Sequence, residues 1–104
     1  VPTTPILIGG LPRHLIDEVI KRNMPAIRYC YQRELQKAPE LGGKIRIQFV
    51  IARDGSVSSA KTLETTMGNV AVENCVNNRF YKMIFPKPKG GIVVGKYPFL
   101  FSPG

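Results

Sequence analysis

The sequence predicts an α+β domain in the order helix, strand, strand, helix, strand, with a small antiparallel or mixed three-stranded sheet packed on two helices. Three observations carry this. Apolar residues recur at three- and four-residue steps from Arg13 to Lys37, the period of an amphipathic helix. After Gly42 and Gly43 the period changes to two, as in a half-buried strand. Helical spacing then returns behind Asn69, and a cluster of Pro and Gly separates it from a final segment rich in Val, Tyr and Phe, residues that suit a pleated sheet. At 104 residues the chain fits one modest core.

The opening, Val1 to Gly10, combines Pro2, Thr3, Thr4 and Pro5 with Gly9 and Gly10 and reads as the end of a linker. The domain proper is expected over residues 11–104. The first helix carries Leu15, Ile16, Val19, Ile20, Met24, Ile27, Tyr31 and Leu35 on one stripe, and Pro25 interrupts it. Proline removes a backbone donor and crowds the preceding turn. Two outcomes stay open, a break at Asn23 that caps a second helix or a pronounced kink. The helix is expected to stop by Ala38, because Pro39 disfavours helical geometry in the residue before it.

In the first strand Ile45, Ile47, Phe49 and Ile51 share one face, and Lys44, Arg46 and Gln48 the other. The segment Arg53, Asp54, Gly55 supplies a turn, since glycine accepts positive φ without a Cβ clash. Val57 to Thr65 returns as a hairpin strand. Val57, Ala60 and Leu63 are spaced by threes, which predicts a bulge near Ser58 or Ser59. Asn69 caps the second helix, whose stripe is Val72, Cys75, Val76, Phe80 and Met83. That helix ends before Phe85, Pro86, Lys87, Pro88, Lys89, Gly90 and Gly91. Ile92 to Phe101 forms the third strand, with Val93, Tyr97, Phe99 and Phe101 on one face.

The net charge is +8, which favours anionic surfaces. After Glu73 there is no acid, while Arg79, Lys82, Lys87, Lys89 and Lys96 follow. This basic third either keeps the domain solvated or steers an acidic partner toward Lys87, Lys89 and Lys96. No apolar run is long enough to span a bilayer. No charged leader with an apolar stretch opens the sequence, so any targeting signal is expected upstream or removed.

Cys30 lies late in the first helix and Cys75 in the middle of the second. If the helices pack side by side on the sheet, the thiols come within bonding distance, and such a bond implies an oxidising compartment. The other reading is two buried, reduced cysteines acting as small hydrophobes. Metal binding is not expected, because two distant cysteines and His14 do not supply four ligands. No catalytic constellation can be assembled either. His14 is the one imidazole and reads as a surface or capping residue, and the acids Asp17, Glu18, Glu34, Glu40, Asp54, Glu64 and Glu73 form no acid and base pair. The glycine doublets lack the spacing of a phosphate-binding loop. The chain reads as a binding module without cofactor, not as an enzyme.

The third strand is the informative element. Pro98 cannot donate a ladder hydrogen bond, so it belongs on an edge strand with its nitrogen turned away from the neighbouring strand. The two-residue period then turns the backbone groups of Ile92, Val94 and Lys96 to the same open edge. That edge either accepts an extended segment of another protein or is simply protected from aggregation by Pro98 and the lysines.

Arg28, Tyr29, Cys30 and Tyr31, then Pro39, Glu40, Leu41, Gly43 and Lys44, the run from Val50 to Val57, Cys75, Phe85 with Pro86, and Tyr97, Pro98, Phe99 and Phe101 together resemble the AgmX/PglI C-terminal domain. That family is similar to the TonB C-terminal domain, and the resemblance covers nearly all of residues 11–103. It implies a periplasmic module of a chain anchored in the inner membrane and joined by a proline-rich linker. It implies a role in energy coupling or in gliding motility of the myxobacterial type, with envelope or outer-membrane proteins as partners. In the TonB domain the last strand accepts a partner's peptide as an added strand. Carried over, the docking strand is Ile92, Val93, Val94, Gly95, Lys96 and Tyr97, and such an edge leaves room for a strand-swapped dimer. The competing reading is a basic nucleic-acid-binding α+β domain that stacks bases on exposed Tyr and Phe.

Overall fold

The computed structural model describes residues 6–103. Strand β1 (Ile6–Gly10) precedes helix α1 (Arg13–Leu35), the hairpin β2 (Gly43–Ile51) and β3 (Val57–Thr65), helix α2 (Val70–Phe80) and strand β4 (Lys89–Phe101). The expected order α-β-β-α-β is therefore present in full, as is its three-stranded antiparallel sheet β4-β2-β3, packed on two helices. A fourth strand, β1, lies outside β4, so the sheet reads β1-β4-β2-β3 with every neighbouring pair antiparallel.

Strand β1 falls where the sequence reads as linker. Pro5, Gly9 and Gly10 do punctuate the chain, but Ile6, Leu7 and Ile8 between them suit a strand, and they pair with β4. Val1 to Pro5 lie outside the described residues.

Helix α1 runs unbroken through Pro25, which decides against the restart at Asn23. Asn23 instead donates its side-chain N–H to the Val19 carbonyl at 2.8 Å. Ile20 and Ile27, on either side of the proline, are wholly buried, and burying a large aliphatic side chain contributes about 1.5–3 kcal/mol. Two such anchors offset the ~3 kcal/mol that an interior proline costs. Tyr31 stacks on Phe101 with ring centroids 4.9 Å apart and donates its hydroxyl to the Leu41 carbonyl, which fixes the helix end against the entry to β2.

Helix α2 starts where the capping rule places it. Asn69 accepts a hydrogen bond from the Val72 amide at 3.0 Å, and Val72, Val76 and Phe80 are fully buried. Both helices cover one face of the sheet. Their apolar stripes join Ile45, Ile47, Phe49, Ile51, Val93, Phe99 and Phe101 in a single core.

The β2–β3 turn is held at Gly55, whose φ is +91° and whose carbonyl accepts from the Phe85 amide at 2.8 Å. Beside it the Ser56 hydroxyl and amide both donate to Asp54 and hold that carboxyl below its ordinary range. The hairpin has two bulges. One falls at Ser58, between the pairs Val50–Ser59 and Ile51–Val57, and the other at Leu63, between Arg46–Glu64 and Ile47–Thr62. The first is the one the spacing predicts.

Candidate partner-binding edge

Strand β4 begins at Lys89 rather than Ile92 and is 13 residues long. It pairs with β2 residue for residue from Gly43–Phe101 to Ile51–Val93. Antiparallel ladders alternate hydrogen-bonded and non-bonded pairs. Pro98 stands opposite Arg46 and has no N–H, so that pair is a non-bonded one, and the backbone groups of Pro98, Lys96 and Val94 turn away from β2.

The sequence leaves that outward side open. In the structure β1 fills part of it, with Ile6 opposite Lys96, Leu7 opposite Gly95 and Ile8 opposite Val94. Among the described residues the pairing runs from Ile6–Lys96 inward, and β4 lies between β1 and β2. The edge strand that Pro98 predicts is thus an inner strand, because β1 lies on its outward side. Beyond Ile8 the register breaks, and Gly10 meets Lys89. The intervening stretch of β4 includes Gly90 and Gly91, at φ +76° and +125°, and Ile92, which is 54% exposed.

Of the six residues assigned to a docking strand, Val93 is wholly buried under the helices, and Gly95 leaves room for a ring. Val94, Lys96 and Tyr97 are half-buried. Burial and the nearby Asp17 carboxylate push the Tyr97 phenol above its ordinary value. Lys87 and Lys89 meet on an exposed hollow of about 620 Å³ with Gly10, Leu11, Pro12, Leu15 and Pro86. Lys96 is not with them. It stands opposite Ile6, whereas Lys89 stands opposite Gly10, so the lysines flank the described length of β1.

The opposite margin of the sheet is already guarded. The Ala60 amide on β3 donates to the Tyr81 hydroxyl at 3.1 Å, and Asn77 of α2 donates to the Thr62 hydroxyl at 3.1 Å. With two bulges besides, β3 offers no regular ladder to an incoming strand.

Cys30 and Cys75 are joined in a disulfide with their Cα atoms 5.6 Å apart, which ties α1 to α2. Over this bond the helices form a groove of about 750 Å³ rimmed by Tyr29, Arg33, Arg79 and Lys82. His14 is exposed on the first turn of α1, and Pro12, not His14, occupies the cap position. Among the described residues no three His, Cys, Asp or Glu side chains gather as a metal site would require.

Strand β1 is the element that sequence reasoning missed. The signal for it was the apolar triplet Ile6, Leu7, Ile8, set off by Pro5 and the glycine doublet.

The order of elements and the antiparallel β4-β2-β3 sheet on two helices have a counterpart among solved structures. The chain is similar in fold to a TonB C-terminal domain. The counterpart is the solution NMR structure of the Pseudomonas aeruginosa TonB C-terminal domain, which matches with a TM-score of 0.52 and 24% sequence identity over 67% of this chain and 73% of that one. No family model matches the sequence, and no curated protein matches it.

Proposed function

We propose that this chain is a periplasmic protein–protein interaction module of a membrane-anchored energy-coupling or gliding-motility protein, binding envelope or outer-membrane partners by strand addition to β4. One observation carries the reading. The outward edge of β4 holds an extended backbone in antiparallel register, Ile6–Lys96 through Ile8–Val94, and main-chain pairing of that kind is how an exposed sheet edge binds a peptide. The disulfide supports an oxidising compartment such as the periplasm. The TonB-like fold supports the comparison with an energy-coupling domain, and the AgmX/PglI resemblance of the cysteine, Phe-Pro and Tyr-Pro-Phe segments supports the gliding-motility variant. Lys87, Lys89 and Lys96 would steer an acidic partner to the two ends of the edge.

The nucleic-acid reading lacks a stacking surface. Phe49, Phe99 and Phe101 are buried against the helices, and among the described residues the exposed rings are Tyr29 on α1 and Tyr81 at the end of α2. A sheet that binds single strands places its aromatics on the open face.

Val94→Pro tests the proposal, because it removes a donor that points away from β2 and leaves the β2–β4 ladder intact. Native envelope extract is passed over the wild-type and variant domains, both shown to be folded by circular dichroism. A partner held by the wild type and lost from the variant is the expected result. Retention of the same partners by both would overturn strand addition at this edge.

A further inference from the structure

Strand β1 occupies the same backbone groups that a docked partner strand would use. Three consecutive residues, Ile6, Leu7 and Ile8, are in ladder register with β4, and the pairing then breaks before Gly10 reaches Lys89. A strand at the margin of the sheet, paired on one side and through an interrupted register, opens before the rest of a fold. Removing β1 leaves β4 secured on its other side by nine residue pairs to β2. Gly10 shows that the return of the chain is nonetheless built in. A Cβ at that position would lie 2.0 Å from the Lys89 carbonyl oxygen, so only glycine lets the two backbones meet there. The Gly9-Gly10 doublet is also the natural hinge about which Ile6 to Ile8 could swing away.

We infer that β1 is a resident strand that masks the β4 edge, and that the partner this edge fits is a segment of the same kind: short, extended, uncharged, rich in aliphatic and β-branched residues, and antiparallel to β4. The inference rests on the reading of that edge as the partner site. A partner competes with β1 for the outward backbone groups of Val94 and Lys96. Its apparent affinity is then reduced by the fraction of molecules in which β1 is docked.

The register supplies a matched pair of variants in the full chain. Ile6 and Ile8 stand opposite Lys96 and Val94, whose groups face β1, so the Ile8 N–H lies within the ladder and the Leu7 N–H points outward. Ile8→Pro breaks the pairing, while Leu7→Pro spares it. Gly10→Val, which drives a side chain against Lys89, opens the strand by a second route. The probe is a fluorescent synthetic peptide with the sequence of residues 5–10. Amide hydrogen exchange at Val94 and Lys96 is followed alongside its binding.

Exchange at Val94 and Lys96 is expected to quicken in Ile8→Pro and Gly10→Val with the β2 amides still protected, and to stay slow in Leu7→Pro. The peptide is expected to bind the two opened variants at least ~10-fold more tightly than the wild type or Leu7→Pro. Equal binding to all four chains, with Val94 and Lys96 shifted in each, would overturn the masking role and leave the edge as a binding site. Absence of binding to an opened variant whose Val94 and Lys96 amides exchange freely would overturn the edge reading itself, and the inference with it.

Discussion

The ring of Phe49 lies over Gly95: a Cβ on Gly95 would stand 2.6 Å from the end of that ring. The two residues are partners across the β2–β4 ladder, and Phe49 in turn meets Phe80 at 4.9 Å and Phe85 at 6.0 Å between ring centroids. Glycine here is the space into which a wholly buried aromatic ring packs, rather than a weak point of the strand. Gly95→Ala should therefore destabilise the domain by about 1–3 kcal/mol through overpacking. Phe49→Ala should cost about 3–5 kcal/mol through the cavity it leaves. Urea unfolding of the single and double variants checks this, and the double variant should lose less than the sum, because the alanine at 95 no longer meets a ring. Strict additivity would show that the two side chains do not share one space.

Reduction of the Cys30–Cys75 bond should lower stability by about 4 kcal/mol, the chain-entropy value for a loop of this size. The bridge spans a sequence separation of 45. Comparing urea midpoints with and without reductant, and for a Cys30→Ala, Cys75→Ala double variant, measures it. A change of less than about 1 kcal/mol would mean that the reduced chain retains compact structure in its unfolded state.

Gly55→Ala should destabilise the hairpin by more than ~1 kcal/mol, since its φ of +91° is strained for an L side chain. The new Cβ would also lie 2.1 Å from the Phe85 carbonyl oxygen. Thermal unfolding reads the loss. Gly68→Ala is the control, because Gly68 also has positive φ, at +65°, but nothing lies within 4 Å of its Cβ position. It should cost clearly less than Gly55→Ala.

Tyr97 sets a pH dependence on the alkaline side. Its phenol is held above the ordinary 10.0 by burial first and by Asp17 second. The folded state thus favours the neutral ring, and that contribution is present below the unfolded value and lost as pH rises through the raised folded one. The stability gap between the wild type and Tyr97→Phe should shift in favour of the variant above pH 10. Urea midpoints at neutral and alkaline pH test this, and a gap that stays constant would rule it out.

The two helices and three of the strands were legible because each repeats its period over many residues. Asn69 and Gly55 mark their cap and turn by chemistry that neighbouring residues cannot override. Strand β1 was not legible for the opposite reason. Three apolar residues between Pro5 and a glycine doublet show no period, and the pairing that orders them comes from β4, some ninety positions away in the chain. The continuity of α1 through Pro25 was hidden likewise, since the burial of Ile20 and Ile27 depends on a sheet that local propensity does not see. Pro98 marked β4 as an edge strand, whereas β4 lies between β1 and β2. The proline could not indicate that the same chain already lies on the outward side.

The disulfide has a mechanical meaning for a domain that is pulled. Strands β2 and β3 both lie between Cys30 and Cys75, inside a covalent ring. Tension applied at the two ends of the chain crosses from α1 to α2 through the sulfur–sulfur bond and does not enter that ring. About 150 Å of contour length, at ~3.3–3.6 Å per residue, is withheld from extension while the bond is intact. A stretched molecule would lengthen only by the chain outside the ring, and reduction would add the remainder as a separate, countable step.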